Sequence, residues 1–387
     1  MIVVGGGPAG LAAASAAREL GAPVLVAERK RSVGRKFLIA GKGGLNLTHS
    51  EPLAAFLLRY RESAPRLEPF LRAFPPEKVR EFAASLGQDT FVGTSGRVFP
   101  REAKAAPLLR AWVSRLKSDG VRFRTRSRFA GLAKDGVRVV DEATGEESTI
   151  RARAVVLALG GGSWPQTGSD GGWVDSLRAA GVDVADLASA NAGVEVAWPK
   201  AFLDTMQGRT LKGVVLRIGD EQVEGDLAIT RYGLEGTPIY SLNPAIRAAL
   251  AREGRATLSV DLKPGLDRDA LAAKLGHVSK SLATQMRAVL SAEALELVRA
   301  RPREPGDVAT RLKSFPVDVT GLRPLAEAIS SAGGVRWSAL DDTLMLRARP
   351  GVFVAGEMID WEAPTGGYLL QACLSTGAAA GAAAARF

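Results

Sequence analysis

The chain begins with a short apolar run that leads into glycines and then into an alanine-rich segment. Residues 2–4 are Ile-Val-Val, and residues 11–20 repeat apolar positions at helical spacing. This order predicts a strand, a tight turn and a helix, as in a βαβ nucleotide-binding unit. Within the G-x-G-x-x-G pattern, Gly5 permits the turn, Gly7 lets a pyrophosphate approach the backbone, and Gly10 lets the helix pack close to the strand.

A second apolar run, residues 23–27, predicts a buried strand that ends at an acid, Glu28. Glu28 follows Gly10 by 18 residues, close to the spacing of about 20 that is typical of a ribose-binding acid. A carboxylate accepts hydrogen bonds from ribose hydroxyls and repels a 2′-phosphate. The pattern therefore predicts a dinucleotide site and argues against NADP as its occupant.

Positive charges follow this acid directly. Arg29, Arg35 and Lys36 are placed to neutralise a pyrophosphate. The glycine-rich loop that comes next contains Gly43 and Asn46, and its glycines allow the backbone to run close to a flat ligand. We therefore expect Arg29, Arg35, Lys36, Gly43 and Asn46 to lie at the same site.

Two further apolar strands end in glycines. Residues 155–159 lead into Gly160 and Gly161, and residues 351–355 lead into Gly356 and an acid. Such continuous apolar runs are typical of buried parallel strands whose carboxyl ends meet a ligand. After the second of them, an alanine-rich stretch predicts a long C-terminal helix.

The pattern changes at about residue 188. Short strand-like runs at 194–198, 214–218, 223–230 and 256–262 predict a small antiparallel sheet or barrel. Residues 267–301 have helical composition, and a further helix is expected over 324–330.

Composition excludes several classes of site. The 387 residues suit two or three domains, and 46% hydrophobic with 24% charged residues is typical of a globular protein. Cys373 is the only cysteine and there are two histidines, so we expect no disulfide framework, no redox CxxC pair and no metal site.

The net charge of +10 permits an anionic partner, but the basic residues are dispersed along the chain. The sequence contains no apolar stretch of about 18 residues, which is the length that would predict a membrane span. We therefore expect a cytoplasmic protein without a membrane partner.

Several motifs in order along the chain resemble one family. They are residues 5–10 with Glu28, 34–48, 96–100, 230–238, and 356–360 with 365–371. With these motifs the chain resembles the YhiN/BaiN-like NAD(P)/FAD-dependent oxidoreductases, which have a glutathione-reductase-type FAD fold. One departure is visible: many relatives carry Gly-Gly-Gly-Arg-Cys-Asn where residues 41–46 here are Gly-Lys-Gly-Gly-Leu-Asn.

The resemblance implies an α/β fold, with a discontinuous Rossmann-like FAD-binding domain and an inserted domain of β-barrel plus helices. The FAD-binding parts would be residues 1–187 and 336–387. The insertion would cover 188–335, with the barrel at 188–262 and 310–335 and the helices at 263–309.

The resemblance also assigns the cofactor contacts to groups of residues. The ADP half of FAD would meet Gly5, Gly7, Gly10 and Glu28, with Gly160 and Gly161 near the adenosine. The pyrophosphate and flavin would meet Arg35, Lys36, Gly43 and Asn46. The ribityl-phosphate region would meet Gly356 and Glu357, and the flavin ring would meet Gly366, Gly367, Tyr368 and Gln371.

The leading hypothesis is an FAD-dependent oxidoreductase that passes hydride from NAD(P)H to a small organic acceptor, such as an activated double bond. Reduction of a double bond also needs a proton donor, and Arg97 and Tyr232 are the candidates because their motifs are placed near the flavin by the resemblance. No second dinucleotide fingerprint is present, so NAD(P)H would bind transiently.

Two alternatives stay open. One is a tRNA-modifying flavoprotein, which a pI near 9.9 would suit. Dispersed charge and the absence of an appended basic domain argue against nucleic acid, and Cys373 lies in an apolar helix rather than at a nucleophile's position. The other is a flavin carrier or sensor without turnover. The oligomeric state is open.

Overall fold

A computed structural model describes residues 1–41, 43–276, 281–300 and 307–387. The strands are β1 (Ile2–Val4), β2 (Leu25–Ala27), β3 (Thr48–His49), β4 (Thr90–Val92), β5 (Arg97–Pro100), β6 (Arg122–Arg124), β7 (Ser127–Ala133), β8 (Gly136–Asp141), β9 (Glu147–Arg151), β10 (Val155–Leu157), β11 (Val184–Ala190), β12 (Val194–Glu195), β13 (Thr210–Ile218), β14 (Glu221–Thr230), β15 (Gly233–Glu235), β16 (Ala256–Asp261), β17 (Phe315–Val319), β18 (Gly321–Leu322), β19 (Ser330–Val335) and β20 (Val352–Val354).

The helices are α1 (Pro8–Glu19), α2 (Arg35–Ala40), α3 (Leu53–Leu58), α4 (Ala64–Ala73), α5 (Pro76–Ser85), α6 (Ala105–Ser118), α7 (Val174–Ala179), α8 (Lys200–Met206), α9 (Thr237–Ser241), α10 (Asn243–Glu253), α11 (Arg268–Leu275), α12 (Leu282–Val289), α13 (Ala292–Arg299), α14 (Val308–Lys313) and α15 (Tyr368–Arg386). The chain divides into two compact units, residues 1–188 with 329–387 and residues 189–328.

The first unit is built on a parallel five-stranded sheet in the order β20-β10-β1-β2-β6. The strand that comes first in the chain lies at the centre, so the strand order reverses between β1 and β10. In such doubly wound sheets the ligand binds outside the carboxyl ends of the strands at this reversal. The Rossmann-like arrangement predicted from the apolar strands is confirmed.

Helices α1 and α15 pack together through small residues. A Cβ atom added to Gly377 would lie 2.3 Å from the Ala9 carbonyl oxygen, and one added to Gly381 would lie 2.1 Å from that of Ala13. The two backbones therefore touch directly, which fixes α1 against α15.

The second unit contains an antiparallel sheet in the order β17-β16-β13-β14-β15-β12-β18. The two ends of this order are one nearly continuous segment, residues 315–322. Its first half pairs with β16 and its second half pairs with β12. The segment thereby closes the sheet into a barrel, and its apolar interior continues into α11 to α14.

The structure of residues 324–335, where the chain leaves the second unit, differs from the prediction made from the sequence. Instead of a helix over 324–330, a short 3₁₀ turn covers Leu325–Glu327, and residues 330–335 form β19. This strand pairs with β11, and tertiary pairing outweighs a helical preference that is weak over so few residues. The second unit therefore ends at residue 328 rather than 335.

Candidate functional site

A cavity of about 320 Å³ lies in the first unit beside the glycine loop that follows β1. This volume is within the range of small-molecule sites. Eight of the predicted cofactor residues line it: Gly5, Gly7, Glu28, Arg29, Arg35, Lys36, Gly160 and Glu357. The remaining predicted cofactor residues lie outside this lining: Gly10, Gly43, Asn46, Gly161, Gly356, Gly366, Gly367, Tyr368 and Gln371.

The glycines of the first loop have different roles. Gly5 has φ +106°, and a Cβ there would lie 2.2 Å from the Ala158 carbonyl oxygen. A Cβ at Gly10 would lie 1.9 Å from the carbonyl oxygen of Gly5. A Cβ at Gly7, by contrast, would meet no atom of the described residues within 4 Å. Gly5 and Gly10 therefore serve the fold, whereas Gly7 leaves space on the cavity side.

The start of α1 presents free hydrogen-bond donors. Among the described residues, the backbone N–H groups of Gly7, Ala9 and Gly10 have no acceptor. The positive end of the helix dipole adds to these donors, and together they form an anion site suited to a pyrophosphate.

Glu28 lies against the same glycine loop. Its carboxylate accepts hydrogen bonds from the Gly6 N–H at 2.8 Å and from the Lys30 N–H at 2.7 Å. Burial raises the pKa of Glu28, while the two backbone donors and the nearby Lys30 and Arg35 charges oppose that effect. A carboxylate fixed in this way can receive ribose hydroxyls without reorienting.

The predicted cations are not equivalent. Arg29 forms ion pairs with Asp170 and, at 3.4 Å, with Glu142. The exposed Arg35 guanidinium has no ion pair within the described ranges. Arg35 is therefore available to an anion in the cavity, whereas Arg29 already has two carboxylate partners.

Glu357 joins three chain segments at the cavity. Its carboxylate accepts from the Lys36 Nζ at 2.9 Å, from the Ser331 N–H at 2.9 Å and from the Gly161 N–H at 3.4 Å. The Ser331 hydroxyl in turn accepts from the Gly162 N–H at 2.8 Å. Ser331 was not predicted from the sequence, because no motif marks a serine whose neighbours are distant in the chain.

The N-terminus of α15 is locked onto β3. Gly367 has φ +99°, and a Cβ there would lie 2.5 Å from the Thr48 carbonyl carbon. The Tyr368 hydroxyl donates to Glu51 at 2.7 Å, and its ring stacks on His49 with 5.5 Å between centroids. Burial and the Glu51 hydrogen bond raise the pKa of Tyr368, so the hydroxyl keeps its proton at neutral pH.

Gln371 is fully buried. Its amide nitrogen donates to the Phe74 carbonyl at 2.7 Å, and its amide oxygen accepts from the Thr48 hydroxyl at 2.7 Å. In this structure the side chain holds α15 to β3 and to the end of α4, and it contributes no surface to the cavity.

The loop before β3 contains an unmatched polar group. The Asn46 side-chain oxygen is buried and has no hydrogen-bond partner in the described part of the chain. Gly43 is exposed, and Leu45 is fully buried in the core. Leu45, at the one position of this loop where the resembling motif has a cysteine, is thus a packing residue in this chain.

Arg97 lies on β5 opposite His49 of β3. Its half-buried guanidinium forms no hydrogen bond or ion pair with the residues described by the structure. A partially buried, unpaired guanidinium is suited to bind an anion or a carbonyl oxygen.

Tyr232 belongs to the second unit, where it is part of a charged cluster. Its hydroxyl donates to Glu235, and the Arg323 guanidinium lies 4.4 Å from the centre of its ring. Arg323 is held by Glu195 and Glu327. Burial and Glu235 raise the pKa of Tyr232, which makes the hydroxyl a weaker acid than a free tyrosine.

Two classes of feature are absent from the described residues. They contain no cluster of three or more His, Cys, Asp or Glu side chains that could hold a metal ion. None of the described helices is long and apolar enough to cross a membrane.

Comparison with protein families identifies the family of this chain. The model of the HI0933-like protein Rossmann domain matches residues 1–383. The chain belongs to the HI0933-like family. The resemblance to YhiN/BaiN-like flavoproteins is thereby confirmed, as are the expectations of a flavoprotein and of an oxidoreductase.

Two curated proteins are similar to this HI0933-like chain over nearly its whole length. The 3-dehydro-bile acid delta(4,6)-reductase of Clostridium scindens is 28% identical and covers 99% of this chain and 98% of its own length. The ribosomal RNA dihydrouridine synthase of Escherichia coli is 24% identical, with coverage of 96% and 94%.

Solved structures show the same fold. The 3-ketosteroid delta1-dehydrogenase from Sterolibacterium denitrificans superposes with a TM-score of 0.56 at 15% identity and covers 100% of this chain and 99% of its own. At this identity the likeness concerns the fold alone.

The residues of this HI0933-like site fit FAD. The free N–H groups of Gly7, Ala9 and Gly10, together with the open space at Gly7, suit the pyrophosphate. Glu28 suits a ribose, and the unpaired Asn46 oxygen provides an acceptor beyond the cavity. The cavity therefore suits the adenosine and pyrophosphate part of FAD.

Proposed function

We propose that this protein reduces a carbon–carbon double bond conjugated with a carbonyl group, using hydride from NAD(P)H. The proposal is supported by the two similar curated proteins, whose names both describe reduction of a carbon–carbon double bond. A delta(4,6)-reductase saturates ring double bonds of a 3-oxo compound, and dihydrouridine is uridine whose conjugated ring double bond has been reduced. The leading substrate class is a small organic enone.

The glycine loop after β1 and Glu28 would hold FAD, and the cofactor would supply transfer of hydride from the nicotinamide to the β-carbon of the acceptor. The α-carbon then takes a proton, and the carbonyl oxygen carries negative charge until it does. Residues of this chain must therefore bind FAD, orient the acceptor and donate that proton.

Arg97 is our first candidate to bind the acceptor's carbonyl oxygen. The guanidinium is half-buried and has no partner among the described residues, so its donors are available to a ligand. A guanidinium at a developing oxyanion stabilises charge that is larger in the transition state than in the ground state.

Tyr232 is our candidate proton donor. Its hydroxyl is already hydrogen-bonded to Glu235 and its pKa is raised, so this role requires the tyrosine to leave the carboxylate. Tyr232→Phe removes the proton without removing the ring. We expect kcat to fall while the rate of flavin reduction by NADPH stays unchanged.

The first experiment is an anaerobic visible spectrum of the purified protein before and after NADH or NADPH is added. A yellow protein that bleaches, and regains colour with a 3-oxo-4,6-diene steroid, supports the proposal. A yellow protein that no nicotinamide reduces supports the carrier alternative. A colourless protein that takes up no FAD contradicts the assignment.

A second candidate is reduction of a uracil base in RNA. The E. coli relative is named for this reaction on ribosomal RNA, and the net charge of +10 suits a polyanion. Reoxidation of the reduced flavin by a uridine-containing RNA, but not by the steroid, would favour it over the first.

Arg97→Lys and Arg97→Ala test the site in either case. We expect Arg97→Ala to lower kcat/KM for the acceptor by about 100-fold, as for loss of one oxyanion donor. Flavin reduction should be unaffected. Equal losses in both half-reactions would show instead that Arg97 supports FAD binding.

A further inference from the structure

Two neighbouring segments of the first unit carry an unusual density of positive charge. The strand β6 and the loop after it read Arg122-Phe-Arg-Thr-Arg126, and Lys30 and Arg31 follow the end of β2. β2 and β6 are paired, with Ala27 opposite Arg124. The Arg126 N–H donates to the Lys30 carbonyl at 3.1 Å, so the two segments continue side by side beyond the strands.

These cations form no ion pair with the described residues, although the Lys30 charge lies near the Glu28 carboxylate. Lys30, Arg31, Arg122 and Arg126 form no side-chain hydrogen bond or ion pair with the described residues. Arg124 donates to the Ser148 hydroxyl at 3.0 Å and has no carboxylate partner. We call these five residues the basic edge.

Among the nearby acids, Glu28 accepts two backbone N–H groups and lies near the Lys30 charge. Three others are engaged elsewhere. Glu142 pairs with Arg29 and Arg128, and Asp170 pairs with Arg29. The Asp141 carboxylate accepts backbone N–H groups of its own turn. Arg29 and Arg128 are thus paired with carboxylates, whereas no residue of the basic edge forms an ion pair with the described residues.

Charged side chains on an edge strand also prevent edge-to-edge pairing of sheets, and β6 is the outermost strand of the parallel sheet. That role accounts for Arg122 and Arg124. It does not account for Lys30, Arg31 and Arg126, which lie beyond the ends of the strands.

We propose that the basic edge binds the sugar–phosphate backbone of an RNA. This inference rests on the RNA alternative of the proposed function. Alternate residues of a strand are about 6.7 Å apart, so Arg122 and Arg124 present charges at regular intervals along one line. Arg126 and the two cations after β2 add charge beside this strand, because the Arg126 N–H donates to the Lys30 carbonyl. Most of the chain's surplus positive charge also belongs to the first unit.

The test uses the FAD-loaded protein and a short fluorescein-labelled single-stranded RNA, with anisotropy measured over a range of salt concentrations. The variant is Arg31→Gln/Arg122→Gln/Arg126→Gln, whose three residues are exposed and outside the cavity lining. We expect Kd to rise at least about tenfold, and the slope of log K against log salt to fall by about 2, since each single-strand phosphate contact contributes about 0.7.

The matched control is Arg66→Gln/Arg110→Gln/Arg349→Gln, which removes the same charge from three exposed arginines on α4, on α6 and before β20. It should retain most of the affinity. Equal weakening by both variants would overturn the proposal, because net charge rather than the basic edge would then carry binding. Absence of salt-dependent binding by the unaltered protein would also overturn it.

Two further measurements distinguish RNA binding at the basic edge from binding to a lipid surface and from an effect on the flavin. Vesicles containing phosphatidylserine should not displace the RNA; displacement with tighter vesicle binding would assign the basic edge to a lipid surface instead. FAD absorbance and flavin reduction by NADPH should be the same in the variant and the unaltered protein. If the variant binds RNA as tightly as the unaltered protein and flavin reduction is intact, only the basic edge is contradicted. If the unaltered protein itself binds no RNA, the RNA alternative of the proposed function is contradicted as well.

Discussion

Lys36 and Glu357 form an ion pair at the cofactor cavity, with 2.9 Å between Nζ and Oε2, although 321 residues separate them in the chain. Glu357 also holds the Ser331 N–H. The carboxylate thus connects the start of α2 to the point where the chain returns to the first unit. Loss of this group should affect both cofactor binding and the fold.

Glu357→Gln removes the charge and leaves Lys36 with the Ser163 hydroxyl but without a carboxylate partner. We expect the free energy of unfolding of the apoprotein to fall by about 1–3 kcal/mol, since the pair is largely buried. Urea denaturation measures this change. Glu68→Gln, which breaks the exposed Arg72–Glu68 pair, is the control and should cost about 0.5 kcal/mol or less. Equal losses in the two variants would contradict the structural role of Glu357.

Gly7→Ala and Gly5→Ala should separate cofactor binding from folding. An added Cβ meets no described atom at Gly7 but lies 2.2 Å from Ala158 at Gly5, where φ is positive. We expect Gly7→Ala to leave the melting temperature of the apoprotein unchanged and to weaken FAD binding at least about tenfold. Gly5→Ala should destabilise the apoprotein by about 2 kcal/mol or more.

Thermal unfolding without FAD and fluorescence titration with FAD give the two readouts for these glycine variants. If Gly7→Ala bound FAD as tightly as the unaltered protein, the pyrophosphate would not lie against this loop.

Gly377→Ala should destabilise the protein even though alanine is the better helix former. Helix propensity alone predicts a gain of about 1 kcal/mol. The new methyl group would lie 2.3 Å from the Ala9 carbonyl oxygen, and such overpacking costs about 1–3 kcal/mol. We expect a net loss of stability in urea denaturation. The control is Ala382→Met, which also enlarges a side chain of α15 but at a half-buried position. A more stable Gly377→Ala protein would show that α1 and α15 can separate without cost.

Cys373 should resist alkylation near neutral pH. Cys373 is half-buried at the cavity, where desolvation and the Glu357 charge raise the pKa of its thiol to about 12, so the reactive thiolate is scarce in the folded protein. We expect iodoacetamide to label Cys373 far more slowly in the native protein than in urea at pH 8. Rapid native labelling would contradict this environment.

The raised pKa of Cys373 also predicts how the stability of the protein changes with pH. The unfolded chain releases the thiol proton near pH 8.5 and the folded chain near 12. Over that interval the folded state binds more protons, so stability falls as pH rises, by up to about 1.4 kcal/mol per pH unit. Cys373→Ser should flatten that part of the stability profile, and an unchanged slope would contradict the assignment.

Local patterns determined the cofactor-binding half of this protein. Gly5, Gly7 and Gly10 with Glu28 identify the first βαβ unit from spacing alone, because a strand, a turn and a helix N-terminus form from consecutive residues. The apolar runs at 155–159 and 351–355 likewise predicted parallel strands. These features depend on short-range geometry, which the order of residues records directly.

Tertiary structure alone decided the partners of the polar side chains. No local pattern shows that Glu357 holds Lys36 and Ser331, or that Gln371 is buried between Thr48 and Phe74. It also decided that residues 330–335 form a strand, where helical preference indicated otherwise. Such contacts join positions far apart in the chain, and they are fixed only when the packed core brings those positions together and burial makes each polar group need a partner.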